Sequence, residues 1–367
     1  MNAQLFQIAI TMLPGVGDVL AKNLIAYCGS PEAVFTEKKA ALEKIPGIGK
    51  TTAAKIKAAS PLQRAEKELT YIARNNISTL FYLDEAYPKR LKHCSDSPIL
   101  LYYRGKGNLN PSRAISIVGT RNATQHGREI TEALVSELKP YKTSVISGLA
   151  YGIDITAHKA AVDNEISTIG VLAHGLDRIY PSLHVKIAEQ MLELGGLLTE
   201  FPSGTNPDRE NFPKRNRIIA GLSDATVVVE AAEKGGALIT AELAHGYDRD
   251  VFAVPGRIND PFSAGCNKLI FLNKAAILRH AKDLEFYLNW QLEEKATRTQ
   301  QPRLFIEVSK DEEPIAALLR KSGKLHIENL CTLAAMPVNK VLSLLFNLEL
   351  KGAVRAHPGK VYEWIAA

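Results

Sequence analysis

The chain has 367 residues, 46% of them hydrophobic and 23% charged, with a formal net charge of +6. Those values describe an ordinary globular polypeptide long enough for two or three domains, and the modest positive balance admits nucleic acid without requiring it. Cys28, Cys94, Cys266 and Cys331 stand apart with no C-x-x-C pair, which excludes a zinc site and a disulfide framework and fits a reducing compartment. The opening residues carry no basic leader and meet Pro14-Gly15 early, and no uncharged apolar run approaches the roughly 20 residues that span a bilayer. A cytoplasmic protein with no membrane contact is expected.

Residues 1–62 read as helical, and they hold two copies of one pattern: Leu13-Pro14-Gly15-Val16-Gly17 and Ile45-Pro46-Gly47-Ile48-Gly49-Lys50. Each precedes an Ala/Lys-rich helical run. Proline stops the first helix, glycines permit a tight turn, and the N–H groups at the next helix start can face a phosphate. A tandem helix-hairpin-helix domain follows from the repetition, with Gly15, Gly17, Gly47, Gly49 and Lys50 as candidate phosphate contacts. With seven Lys against four acidic residues in this segment, hairpins that only pack are the competing expectation.

From 63 to 290, short apolar β-rich runs alternate with amphipathic segments. Strands are expected at 115–119, 144–147, 168–173, 197–200, 225–230 and 250–254, their near-continuous apolar character suiting burial on both faces. In 128–139, Ile130, Leu134, Val135 and Leu138 fall on one helical face. The alternation predicts an α/β fold, a doubly wound parallel sheet of the extended Rossmann type. The segment 63–111 reads as an extension packed on that sheet.

The loops that follow these strands must gather on the carboxyl edge, where doubly wound sheets bind ligands. The first is Gly119-Thr120-Arg121, in the place of a dinucleotide fingerprint but lacking G-x-G-x-x-G; the arginine crowds a cofactor and suits a diester phosphate. The second is Ser147-Gly148-Leu149-Ala150-Tyr151-Gly152-Ile153-Asp154, small residues that leave amides for an anion, with Asp154 a candidate helix cap. The most informative is Phe212-Pro213-Lys214-Arg215-Asn216-Arg217: three cations beside an aromatic, ahead of an apolar helix. Lys214, Arg215 and Arg217 supply phosphate contacts, Phe212 a platform for a base, and Asn216 a bond to a base edge or to the loop itself. Lys214 and Arg215 are expected to face ligand more than Arg217, the competing expectation being arginines buried against carbonyls. Histidines lack H-x-x-H or H-E-x-x-H spacing, and G-x-S-x-G and G-x-x-x-x-G-K-[ST] are absent, so no metal, no cofactor and no catalysis are expected.

A polar stretch at 291–302 reads as a linker, and 303–367 as a winged helix of three helices and a two-stranded wing. Its third helix carries only Lys340 and Lys351 as cations, too few for firm duplex binding; a protein-binding or autoregulatory role is at least equally expected.

The motifs SGLAYGID, GLDRIYP, FPKRNRIIAGLS, GGALITAELA, VFAVPG and GCNKLI stand in the order and spacing of the DNA-processing protein A family (DprA, also called Smf), which the chain resembles strongly over about 65–285. The resemblance implies a dimeric protein that binds single-stranded DNA and loads the RecA recombinase during natural transformation. By motif it carries DNA contact to Gly119, Thr120 and Arg121, to Phe212, Arg215, Asn216 and Arg217, and, less tightly, to Lys268; dimer and recombinase surfaces stay unassigned. His174 and the GGAL segment depart from the family pattern without removing a cation. Two rival readings are a nucleotide phosphoribohydrolase of the lysine-decarboxylase-like group, whose P-G-G-x-G-T-x-x-E pattern is broken here at 234–242, and a winged-helix transcription regulator.

Overall fold

The structure, a computed structural model, describes residues 3–290 and 308–366. The expected linker at 291–302 and the first residues of the C-terminal unit lie outside the described residues.

The N-terminal helices are Ala3–Thr11, Asp18–Cys28, Pro31–Thr36, Lys39–Leu42 and Lys50–Ala58. Both hairpins turn through glycines in the left-handed region, Gly15 at φ 76° and Gly47 at φ 84°, which is why the pattern needs glycine there. Between them Ser30 caps its helix by accepting from Ala33 N at 3.1 Å, with Pro31 at the first helical position. A longer helix, Leu62–Arg74, packs on Ala3–Thr11 and leads into the sheet.

The sheet has nine strands: β1 (Ser78–Phe81), β2 (Leu100–Gly105), β3 (Ala114–Val118), β4 (Ser144–Ser147), β5 (Thr168–Val171), β6 (Gly196–Thr199), β7 (Ala225–Val228), β8 (Asp250–Ala253) and β9 (Ala276–Ile277), in the order β1-β2-β6-β5-β4-β3-β7-β8-β9. Neighbours from β6 to β9 are all parallel, as the alternating pattern predicts. The segment before β3 departs from that: β1 and β2 pair antiparallel, and β2 joins β6 antiparallel, so the sheet is mixed. Side chains such as Ile146, Ile169 and Ile218 fill one face, and Ile115, Val145, Ile153 and Phe252 the other. Strands β3, β4, β5, β6 and β7 are buried along their whole length, which explains their unbroken apolar sequence. The chain starts its winding at β3, fills one side through β6, then crosses back to β7. The switch point therefore lies between β3 and β7, where the loops diverge and leave a crevice.

The C-terminal unit has helices Glu313–Ser322, Ile327–Ala334 and Val338–Leu350 with strands β10 (Lys324–His326), β11 (Val354–His357) and β12 (Val361–Trp364). The expected two-stranded wing gains β10 as a third strand, in the order β10-β12-β11. It docks at the amino ends of the sheet strands, just before β8. Gly359 N donates to Asp248 O at 3.0 Å, Lys360 pairs with Asp248 at 2.9 Å, and His93 stacks on His326 with centroids 4.0 Å apart. Arg249, only 5% exposed, donates to Pro358 O at 3.3 Å and to Arg90 O at 3.0 Å, bridging the two units. Arg249→Ala is expected to keep the secondary structure intact by circular dichroism and to release the C-terminal unit, read as a larger radius of gyration in small-angle scattering.

Candidate functional site

The switch-point crevice is built on glycines that have no room for a side chain. A Cβ on Gly119 would lie 2.4 Å from Ile153, and one on Gly152, at φ 76°, would lie 2.2 Å from Thr120 O. The turns after β3 and β4 therefore pack back to back, joined by Ile153 N donating to Thr120 O at 3.2 Å, while Thr120 N donates to Glu230 O, just past β7, at 2.8 Å. That packing pushes Arg121 out to solvent beside Ala150. The crevice of about 950 Å³ is lined by Gly119, Arg121 and Ala150 on one side and by Phe212, Arg215 and Gly235 on the other.

The FPKRNR segment is not a loop. The helix Asn211–Leu222 begins one residue before it, and Pro213 is tolerated because first-turn N–H groups need no helical partner. Helical geometry then splits the cations. Lys214 and part of Phe212 face solvent, whereas Arg215 and Asn216 turn inward, 5% and 9% exposed. The expectation that Arg215 projects outward is thus corrected: it forms the crevice floor, donating to Val171 O, with its Nε 3.3 Å from Asn216 Oδ1. Burial lowers its pKa to about 10, with Asp154 pulling the other way. Asn216 in turn donates from Nδ2 to Gly236 O at 3.3 Å, holding the loop after β7. Arg217 leaves the crevice altogether. Its guanidinium pairs with Asp18 at 3.0 Å and with Glu200, and donates to Asp96 O, tying the first hairpin to the sheet. Above the floor, the Arg121 guanidinium sits over the Phe212 ring, 5.0 Å from its centroid.

The turn after β4 is pinned from behind. Ser147 Oγ donates to Ile117 O at 2.6 Å and is fully buried, so this hydroxyl faces the sheet and not the crevice. A Cβ on Gly148 would lie 2.3 Å from Arg215 Nη1 and 2.5 Å from Asp154 Oδ2. Asp154 lies inside its helix, Ile153–Asp163, and makes no side-chain cap; burial raises its pKa, against Arg215. His158 Nε2 lies 2.6 Å from Gly148 O, which can only accept, so this nitrogen carries the hydrogen; Nδ1 meets Thr168 Oγ1 at 2.7 Å. His184 Nδ1 reaches Leu149 O at 2.9 Å.

Among the other sequence candidates, Lys268 lies on the helix Ala264–Phe271, outside the crevice walls, 3.8 Å from Glu233. The first hairpin, Gly15 and Gly17, stands beside the sheet: Asp18 at its helix start accepts from Ile99 N at 2.8 Å. The second hairpin leaves Gly47, Gly49 and Lys50 at the surface. Sequence reasoning missed Lys234, which lines the crevice, and Tyr151 and Tyr180, which line a small adjoining pocket of about 40 Å³ with Phe212 and Arg121. Glycines flanking Lys234 signalled its loop; the tyrosines, single aromatics in unrelated segments, gave no pattern. Glu242, the residue a phosphoribohydrolase would need in its glycine-rich loop, sits along the helix Gly236–Gly246 and pairs with Lys274 at 2.7 Å, away from the crevice. Among the described residues no cluster of three His, Cys, Asp or Glu could hold a metal ion, and no single helix is long and apolar enough to cross a membrane.

The family model for DNA recombination-mediator protein A matches residues 78–289, which include every part of this crevice. The chain belongs to that family. Models for a SAM-like helix-hairpin-helix tandem and a DprA winged helix domain match 8–59 and 295–360. The chain is 36% identical to protein Smf of Synechocystis, covering 76% of this chain and 71% of the relative, and 33% identical to protein Smf of Escherichia coli, covering 82% and 80%. It is similar to the X-ray structure of DNA processing protein A from Streptococcus pneumoniae, with TM-score 0.67 and 30% identity over 77% of this chain and 98% of that one. It is also similar to DNA processing protein A from Helicobacter pylori, whose structure is described for its single-stranded DNA binding mode, with TM-score 0.53 and 30% identity over 59% and 97%.

Burial lowers the pKa of His158 from 6.5 to about 4, keeping it neutral behind the β4 turn. Because the folded value lies below the unfolded one, its contribution to stability is complete above pH 6.5 and is lost as pH falls towards 4. His158→Gln should flatten that slope: between pH 7.5 and 5 the native chain is expected to lose about 2 kcal/mol more than the variant in denaturant titrations.

Proposed function

We propose that the chain binds single-stranded DNA in the switch-point crevice, without transforming it, and hands the strand to the RecA recombinase. The observation that carries this reading is the exposed Arg121 guanidinium lying over the Phe212 ring, with Lys214 on the same helical turn. A cation and an aromatic face side by side suit a backbone phosphate and its unpaired base, and neither is specific for one sequence. Gly119 and Thr120 bring backbone close to such a ligand, Gly148 is buried behind Arg215 and makes room for it, Arg215 adds positive potential from beneath, and Asn216 fixes the opposite wall. In this reading Arg217 acts through the fold and Lys268 contributes only long-range charge.

Support comes from the family, named for recombination mediation, and from the Helicobacter pylori relative named for single-strand binding. Handover to RecA rests on the family resemblance. A homodimer is part of the proposal: β9 ends the sheet, and around that edge Phe271, Leu272, Ile277 and Phe286 are exposed at 83%, 48%, 45% and 81%, which suits a second copy. The cytoplasm is the compartment where such a strand and recombinase meet. The winged helix is read as a protein-binding module, because the helix Val338–Leu350 exposes Val338, Leu342, Phe346 and Leu350 where a duplex reader needs cations.

Arg121→Ala and Lys214→Ala are each expected to weaken single-strand binding by about 1–3 kcal/mol and to reduce the salt dependence by about one phosphate. Electrophoretic mobility shifts across a salt series, with single and double strands compared, measure both effects. Unchanged affinity in the two variants would falsify the site.

A further inference from the structure

Two tyrosines beside the crevice remain half exposed, and the crevice does not use them. Tyr151 and Tyr180 are 45% and 47% exposed and both line the pocket that adjoins it; Leu183 and Val185, 80% and 40% exposed, follow Tyr180 in the chain on the way into the helix Val185–Leu194. Exposing one such residue is ordinary; two rings at one pocket mouth cost hydration free energy with no gain in folding. Their placement is ordered. Tyr180 lies 6.4 Å from the Phe212 centroid, and Phe212 carries Arg121 on its ring. Tyr151 meets the edge of His184 at 5.1 Å, and His184 is fixed to Leu149 O. Burial lowers the His184 pKa, so the ring behind Tyr151 is uncharged. The rings form two pairs at the pocket that adjoins the crevice, Tyr180 beside Phe212 on one flank and Tyr151 on the edge of the buried His184 on the other.

We infer that Tyr151 and Tyr180 form a stacking ledge on which bases of the strand lie after it leaves the crevice, an apolar subsite adding length to the binding site and no phosphate contact. The inference rests on the single-strand reading of the crevice. Its occupant follows from continuity: the ledge and the crevice share Phe212 and Arg121 as a common wall, so a polynucleotide leaving over Phe212 meets Tyr180 next. Rings at an open surface accept any base face, since stacking needs no particular hydrogen-bonding edge. Arg178, two residues before Tyr180, is already held by Asp177 at 2.9 Å and Asn206 at 2.6 Å.

The test uses the full chain and oligo(dT) of two lengths, roughly 4 nucleotides to fill the crevice and roughly 16 to reach beyond it. Tyr180→Ala and Tyr151→Ala are expected to weaken binding of the long oligonucleotide by about ten-fold and to leave the short one unchanged. The slope of affinity against salt should stay at the native value in both, because no phosphate contact is lost, and Tyr180→Phe should restore native binding. Both tyrosines are half exposed, and unchanged binding of the short oligonucleotide guards against a folding artefact. If both variants bind both lengths like the native chain, or lose the short oligonucleotide equally, the ledge is refuted. If the native chain binds neither length, the failure belongs to the single-strand reading of the crevice.

Discussion

Two glycines at the carboxyl edge set everything that the crevice can do. Gly119 and Gly152 let the turns after β3 and β4 touch backbone to backbone, at distances where any side chain would collide with Ile153 or with Thr120 O. A methyl group at either position would pry the turns apart and carry Arg121 away from Phe212. The cation and the aromatic belong to segments some ninety residues apart in the chain, and only this close approach makes them neighbours. Burial strengthens the arrangement, because Arg215 beneath them is held by Val171 O and balanced by Asp154 in a place with little water.

The strands were legible because burial on both faces leaves a simple mark, an unbroken apolar run, and the glycine-rich turns were legible because they follow those runs. The division of labour among Lys214, Arg215 and Arg217 was not. Pro213 reads as a loop residue, yet a first helical turn accepts it, and once Asn211–Leu222 is a helix its period decides which cation faces out. Arg217 found two carboxylates from distant parts of the chain, Asp18 and Glu200, and nothing local announces such partners. Tyr151 and Tyr180 were invisible for the same reason: their significance lies in the company that the fold gives them. The antiparallel addition of β1 and β2 was also beyond reach: β1 is short and half exposed, and the apolar run of β2 does not say which strand it joins or in which direction.

The two hairpins show how one sequence pattern serves two ends. In the first, Asp18 occupies the helix start and spends its carboxylate on Ile99 N and Arg217, so this turn fastens the N-terminal helices to the sheet. An acidic residue there also repels a phosphate. In the second, Lys50 holds the equivalent position, at the surface and free of an acidic neighbour at the turn. Identical glycine spacing therefore builds both turns, and the residue that follows decides what each is for.

The winged helix joins the amino ends of the strands, while Arg121 and Phe212 lie past the carboxyl ends. Each central strand is four or five residues long, so the sheet holds the two regions about 13 Å apart or more at roughly 3.3 Å per residue. Whatever grips the C-terminal helices approaches from one pole of the molecule, and whatever enters the crevice approaches from the other. If both proposed sites are used, neither guest has to leave for the other to arrive, and the protein would act as an adaptor with both hands full.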